Sequence, residues 1–483
     1  MAETFEGFIP QSDGSGDGTR QPPRQVTSRL PAAPQTLEEI GLSPNFLQEL
    51  ALKVVHYSEQ PMATHLARTM GLPTVHVSEI LNTLRRDNLV EVVSSADYSS
   101  ERDFRYRLTD KGEARAERAL DRCRYAGPAP VTLTQYERIF SSTVSPDWRP
   151  SKASVRNAIE SLVLDEAVID RLTKALRSGR ATMVFGSTGN GKSHILSSFI
   201  DAMEGEVLVP YSIYAHGQII RVFDPKIHDR IPERDEEAER QPAEPGLARR
   251  QSSFEHHDRR WVRIKRPGVI VGGEIGPESL ELGYDPVTRF YQAPAHFKAQ
   301  GGVFVVDDFG RQKVTPAEIM NRWIMSLERG RDQLLLRTGE ALDVPFHVTI
   351  LFSTNLNPGD LTDSAYLRRI PYKVYIPSVR RDQFTEILRR ACHQYSVHYD
   401  AENIEGAVSF IERVLNGRLY GSLSRDLIGI LAENFRQEGA EPVLSAEAIR
   451  LAYQQFTGVA DSLERGFRSA WAEEDAEMDA FVA

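Results

Sequence analysis

MVFGSTGNGKSHIL, from Met183 to Leu196, is the stretch on which the reading of this chain turns. It fits G-x-x-x-x-G-K-[ST] at Gly186, Gly191, Lys192 and Ser193, follows an apolar run and opens a helical one, the context that pattern requires. The glycines let the backbone curl so that successive N–H groups face a phosphate at a helix N-terminus. Ser187, Thr188, Gly189 and Asn190 complete the expected cradle, with His194 just behind it. Lys192 is placed to reach β- and γ-oxygens, and the Ser193 hydroxyl to ligate Mg²⁺.

Working outward, GGVFVVDDFGRQ puts four apolar residues before Asp307 and Asp308. A buried strand there delivers two carboxylates to the C-terminal edge of a parallel sheet, where α/β folds bind ligands. Asp307 is expected to hold Mg²⁺ through water beside Ser193, and Asp308 to orient or deprotonate the attacking water. The surrounding region, residues 151–378, alternates helical and short apolar runs, the rhythm of a parallel sheet with helices on both faces. Its expected strands are Ala181–Phe185, Val207–Ile213, Val303–Val306, Val348–Phe352 and Lys373–Ile376. A charged, Pro-containing passage marks an insertion at about 214–275, with a projecting β-hairpin. In it His256, His257 and Asp258 read as solvated loop residues rather than metal ligands. The aromatics Tyr211, Tyr214, Phe290 and Tyr291 read as core.

The flanks are simpler. Residues 1–35 are rich in Gly, Ser, Pro and Gln and read as a disordered tail. A domain of short helices and an alternating segment is expected over 36–125, a linker over 126–150, an all-helical lid over 379–463 and an acidic tail over 464–483. The 483 residues carry a net charge of -10, which argues against a surface devoted to nucleic acid or anionic lipid. Two cysteines, Cys123 and Cys392, are too few for a disulfide framework. No apolar run approaches a membrane span and no signal peptide opens the chain, so a cytoplasmic location is expected.

From about Ser151 to Leu463 the chain resembles AAA+ ATPases, and within them the MoxR-type group. The resemblance rests on five motifs in the family's order: GSTGNGKS, GGVFVVDD, LERGRDQLLLRTGEALDVPFHVTILFSTNLNP, DSAYLRRIPYKV and GSLSRDL. It implies an ATP- and Mg²⁺-using P-loop NTPase fold with a helical lid, assembled as a homo-oligomeric ring, a hexamer. It also implies that Asn355 senses the γ-phosphate, that Arg369 or its neighbour Arg368 reaches the ATP of the adjacent subunit, and that Arg425 touches the phosphates of its own. The work expected of such a ring is chaperone-like remodelling of a protein client, and the resemblance makes a pore-facing role the alternative for Tyr211, Tyr214, Phe290 and Tyr291. One departure stands out, because the family usually ends this strand in Asp-Glu and this chain has Asp-Asp. The shorter side chain draws the carboxylate back by about 1.5 Å, and misplacement of about 1 Å can cost roughly 10²-fold in rate. A slow-hydrolysing ATP switch is therefore one alternative. Replication initiators of the DnaA type resemble this chain in carrying Asp-Asp.

Before the linker, helices over Asn45–Tyr57, Met62–Met70 and Thr74–Leu84, followed by LVEVVSSADYSSERDFRYRLTDKG, resemble a winged helix. Val77, Ile80, Leu81 and Leu84 would pack inward, and Thr74, His76, Ser78, Glu79, Asn82 and Arg86 would project. Residues 36–122 hold eleven basic and fourteen acidic residues, with Arg102, Arg105 and Arg107 on the wing. That balance favours protein docking over DNA. A DNA-associated regulator is the other alternative.

Overall fold

Alternation along the short apolar runs decides which way the central sheet faces. In Thr182–Phe185 (β1), Gly268–Val271 (β2), Val303–Val306 (β3), Thr349–Thr354 (β4) and Tyr372–Tyr375 (β5), neighbouring residues point to opposite sides. Met183, Phe304 and Ile350 join one apolar cluster, while Val184, Val305 and Leu351 join another. Each cluster is roofed by helices, so both faces are buried, as a parallel sheet requires. All neighbours are parallel and the order is β5-β1-β4-β3-β2. The computed structural model describes residues 30–93, 104–144, 149–160, 162–232, 256–361 and 364–458. The expected wing strands around Ser94–Glu101, Arg102, most of the N-terminal tail and the acidic tail lie outside these.

Numbering the helices of two turns or more, Pro44–His56 (α1), Ala63–Met70 (α2), Thr74–Arg86 (α3) and Asp110–Arg122 (α4) form the N-terminal bundle with a two-stranded sheet, Val90–Val93 and Arg105–Leu108. Leu133–Thr143 (α5) follows. Lys152–Glu160 (α6), Glu166–Arg177 (α7) and Lys192–Asp201 (α8) cover one face of the central sheet, and Pro316–Arg329 (α9) covers the other. Arg381–Gln394 (α10), Ala401–Val414 (α11), Gly421–Glu438 (α12) and Ala446–Thr457 (α13) make the helical C-terminal region around its own core.

The sheet's edge differs from the expectation. Glu206–Pro210 pairs antiparallel with Trp261–Lys265 in a separate ribbon, and the strand beside β3 is Gly268–Val271, from within the expected insertion. Two apolar runs of similar length competed for one place, and periodicity cannot separate them. Gly268 lets this strand lie close against α8, where a Cβ would stand 2.1 Å from Ile200.

Residues 126–144, read as linker, are also packed. Val131–Thr132 joins a five-stranded mixed sheet with Ser212–Ala215, Gln218–Arg221, Phe290–Gln292 and Gly283–Asp285. Tyr136 and Phe140 of α5 are buried at 2% and 1% exposure. The hairpin turn at His216 and Gly217 has φ of 46° and 73°, the left-handed pair that suits a two-residue hairpin turn. Ile219 and Phe290 of this sheet enter the core of the N-terminal bundle.

The tail expected up to Gln35 is docked from Leu30 on. Ala33 N–H donates to His256 O (3.1 Å) and Asp258 N–H to Pro31 O (2.8 Å). Extended backbone pairing of this kind leaves no periodic signal. Asp258 is not a solvated loop residue: it is 4% exposed and forms a two-pronged pair with Arg260, whose Nη1 donates to Ile40 O.

Candidate functional site

Strand β1 ends at Phe185, whose carbonyl accepts from Ile376 N–H (2.8 Å), and the chain then turns at Gly186 with φ 149°. A Cβ here would stand 2.3 Å from Ile376 O, so only glycine fits. Gly189, at φ 80°, lies against the C-terminal helices: its carbonyl accepts from Ser422 N–H (3.1 Å), and a Cβ would meet Ser422 Oγ at 2.8 Å. Lys192 opens α8, is 5% exposed, and donates from Nζ to Gly186 O and Ser187 O at 2.7 Å each.

The carboxylates arrive from β3. Asp307 N–H donates to Val271 O (2.7 Å), and the Ser193 hydroxyl donates to Asp307 Oδ1 at 3.0 Å. Mg²⁺ dehydrates reluctantly and keeps several of its waters, so a Ser193 hydroxyl with Asp307 beside it to hold the ion through water is a donor set that suits it. Asp308 has φ 55°, the left-handed region that Asp tolerates better than most side chains. Its Oδ1 accepts from Asn355 Nδ2 (2.9 Å) at the end of β4. Phe309 N–H donates to Ser353 O (2.7 Å) and Thr354 Oγ1 to Phe309 O (2.6 Å), locking the two strand ends together. Among the described residues no three His, Cys, Asp or Glu side chains gather as a metal cluster.

Beside the loop a cleft opens between the sheet and the C-terminal helices, lined by Leu164, Val168, Ile195, Ile376 and Val379 together with Asn190, His194 and Arg425. Its apolar walls suit a flat heterocycle. Asn190 is 6% exposed, and its Oδ1 has no hydrogen-bond partner among the described residues. Arg380, at the start of α10, donates from Nη1 to both Asp165 oxygens at 2.5 Å, and also pairs with Asp382. These hydrogen bonds push the Arg380 guanidinium above its usual range.

The structure thus gathers Gly186–His194, Asp307, Asp308, Asn355 and Arg425 around one end of the sheet. It does not bring Arg368 or Arg369 there. Both precede β5, whose first residue pairs with Thr182 at the start of β1, so they stand at the opposite end. Arg368 is exposed, and Arg369 is held by Glu328 (Nε to Oε1, 2.8 Å). Sequence reasoning missed Gln312, whose Nε2 donates to Asp307 O (3.3 Å) and Asp308 O (3.1 Å), and Asp165 in the cleft lining. The Gly-x-Gln spacing after Asp308 was the available signal for the first; the second had none. The pore-facing aromatic alternative also fails for Phe290 and Tyr291, which are buried at 7% and 2% exposure.

A parallel sheet in the order 5-1-4-3-2, a glycine loop after β1 and carboxylates after β3 settle the architecture. It is the α/β P-loop NTPase fold of the AAA+ type. Residues 380–455, within the C-terminal helices, match a family described as Domain of unknown function (DUF8689). No curated protein matches the chain. Similar solved structures include NtrX from Brucella abortus, at 13% identity and TM-score 0.35, covering 76% of this chain and 68% of that one. Another is the RuvB Holliday junction branch migration motor of Thermotoga maritima, at 10% identity and TM-score 0.34, covering 60% and 68%.

Proposed function

We propose that this AAA+ chain binds Mg²⁺–ATP in the cleft and hydrolyses it, with subunits completing one another's sites in a homo-oligomeric ring, a hexamer. The observation that carries this reading is the pairing of Ser193 with Asp307 at 3.0 Å and of Asp308 with Asn355 at 2.9 Å, directly beside the phosphate loop. Backbone N–H groups of residues 187–192 and Lys192 would hold the phosphates, and Ser193 and Asp307 the Mg²⁺, which neutralises charge on the phosphoryl oxygens when bound. Asp308, oriented by Asn355, is the group to accept a proton from the attacking water. Arg425 would close over the phosphates from the lid.

Arg369 acts in trans in this reading. Along β1 and β5 it is separated from the loop by four strand residues, roughly 13 Å at about 3.3 Å each, so its own phosphates are out of reach. ATPase rates of the purified full-length protein test the proposal against Lys192→Ala and Asp308→Asn. Wild-type turnover no faster than that of Lys192→Ala would end the hydrolysis reading. Tight ATP binding with negligible multiple turnover would select the ATP switch.

The N-terminal bundle fits a winged helix used for protein docking, which makes a cytoplasmic, chaperone-like remodeller of the MoxR type the preferred whole-protein role. No helix among the described residues is long and apolar enough to cross a membrane. Charge placement supports docking over DNA: Arg107 is paired with Glu91, Arg105 Nη1 donates to Gln60 O, and Val75 on α3 is 66% exposed. His76, expected to project, is 4% exposed and bonded to Pro34 O. Duplex-DNA binding by the full chain at about 50 mM salt, where phosphate contacts are strong, would reverse that preference.

A further inference from the structure

Arg369 sits on a short turn between the single-turn helix Ser364–Leu367 and β5, and three contacts fix that turn. Besides the polar contacts of Lys373, Tyr366 and Arg369, the neighbouring Ile370 is fully buried in the cluster under α9. Lys373 Nζ, from β5, donates to Leu367 O (2.8 Å) and Ile370 O (2.7 Å), clamping the turn from below. Tyr366 Oη donates to Asn321 Oδ1 (2.6 Å), and Arg369 pairs with Glu328 through Nε (2.8 Å) and Nη2 (2.7 Å). Asn321 and Glu328 are seven residues apart on α9, so they share one face of that helix.

The other end of α9 leads back to the phosphate site. The loop after Asp308 is braced by Gln312, and Thr315 and Glu318 cap the helix reciprocally. Fourteen residues at about 1.5 Å each make a strut of roughly 21 Å. It joins a subunit's own acidic loop to the arginine it presents outward.

We infer that Glu328 is a positioning residue: it aims the Arg369 guanidinium from the end of α9 toward the phosphates of the neighbouring subunit. The inference rests on the reading that Arg369 acts in trans. An arginine has many rotamers of similar energy, and a carboxylate gripping one edge of its planar fork selects among them. Glu328 touches no phosphate, so its loss lowers turnover and leaves ATP affinity alone.

The test uses the full-length protein, with assembly and melting temperature checked for every variant. Glu328→Ala should lower kcat about 10- to 100-fold, the range that small misplacements cost, with nucleotide affinity within about threefold of wild type. Glu328→Gln keeps an acceptor for Nε and should recover most of the rate. The decisive readout is mixing. Glu328→Ala subunits should regain activity with Lys192→Ala subunits, as Arg369→Ala subunits do, because the defects then fall on opposite sides of an interface. Glu328→Ala mixed with Arg369→Ala should stay low, since both damage the same side. If Arg369→Ala behaves this way while Glu328→Ala turns over normally, or complements Arg369→Ala, Glu328 has no such role. If Arg369→Ala itself keeps wild-type turnover, the trans reading falls and this inference with it.

Discussion

Removing the Asp332 carboxylate should destabilise the domain built on the central sheet by about 3 kcal/mol. This side chain is fully buried and accepts from His296 Nε2 (2.8 Å), Ser326 Oγ (2.9 Å) and both Arg322 terminal nitrogens (2.5 and 3.3 Å). Burial alone would raise its pKa, but hydrogen bonds from His296 and Arg322 outweigh that and hold the carboxyl well below the usual range. Deleting one partner of a buried ion pair typically costs about 3–5 kcal/mol. Arg322 keeps Glu281 at 2.6 Å, a partly exposed partner, which places Asp332→Ala at the lower end. At about 2–4 °C per kcal/mol for a domain of this size, the melting temperature should fall by roughly 6–12 °C. Asp332→Asn retains the shape and one acceptor, so a loss of about half that is expected. Calorimetry with the domain's own transition resolved is the assay. A drop under about 2 °C for Asp332→Ala would show that the network contributes no net stability and that the reasoning is wrong.

Burial lowers the pKa of His296, so between its folded value and about 6.5 the unfolded chain binds a proton that the folded chain does not. Stability should therefore fall as pH drops below about 6.5, and thermal unfolding of His296→Gln should show a slope shallower by up to about 1.4 kcal/mol per pH unit. The Asp332 contribution is present above about pH 4 and fades as pH falls through its depressed folded pKa, so wild type and Asp332→Asn should converge there. Gly186→Ala forces a Cβ to 2.3 Å from Ile376 O, and nucleotide titration should show ATP affinity lost by about 100-fold or more. Asn355→Ala unpins Asp308 and should cut kcat about 10²-fold with affinity nearly unchanged; equal loss in both would instead mean that Asn355 acts mainly in binding.

What was legible in the sequence was whatever is local. The phosphate loop needs glycines and a lysine at fixed offsets, and Asp307 and Asp308 follow four apolar residues, so both were readable without knowing what lay beside them. The identity of the edge strand was not, because parallel neighbours are distant in sequence and Val207–Val209 is as apolar as Val269–Val271. Helical phase correctly turned Val77, Ile80, Leu81 and Leu84 inward. It turned His76 outward because the segment that covers it, ending at Pro34, has no periodic signature. The Glu328–Arg369 pair spans 41 residues and joins two common residue types, so only the folded chain brings it into view.

Ile219 and Phe290 complete the interior of the N-terminal bundle, and this sets a schedule on the ribosome. Helices α1–α4 emerge first, yet about 170 residues separate Arg122 from Phe290. At about 5–20 residues per second, the nascent bundle waits roughly 10–30 s with an unfinished apolar pocket. During that interval Tyr125, whose ring meets Phe290 edge-on at 5.6 Å in the finished protein, has no cover from that ring. The interval between first emergence and final closure is thus written into the order of the chain, and it is the period when holding factors and aggregation compete for this segment.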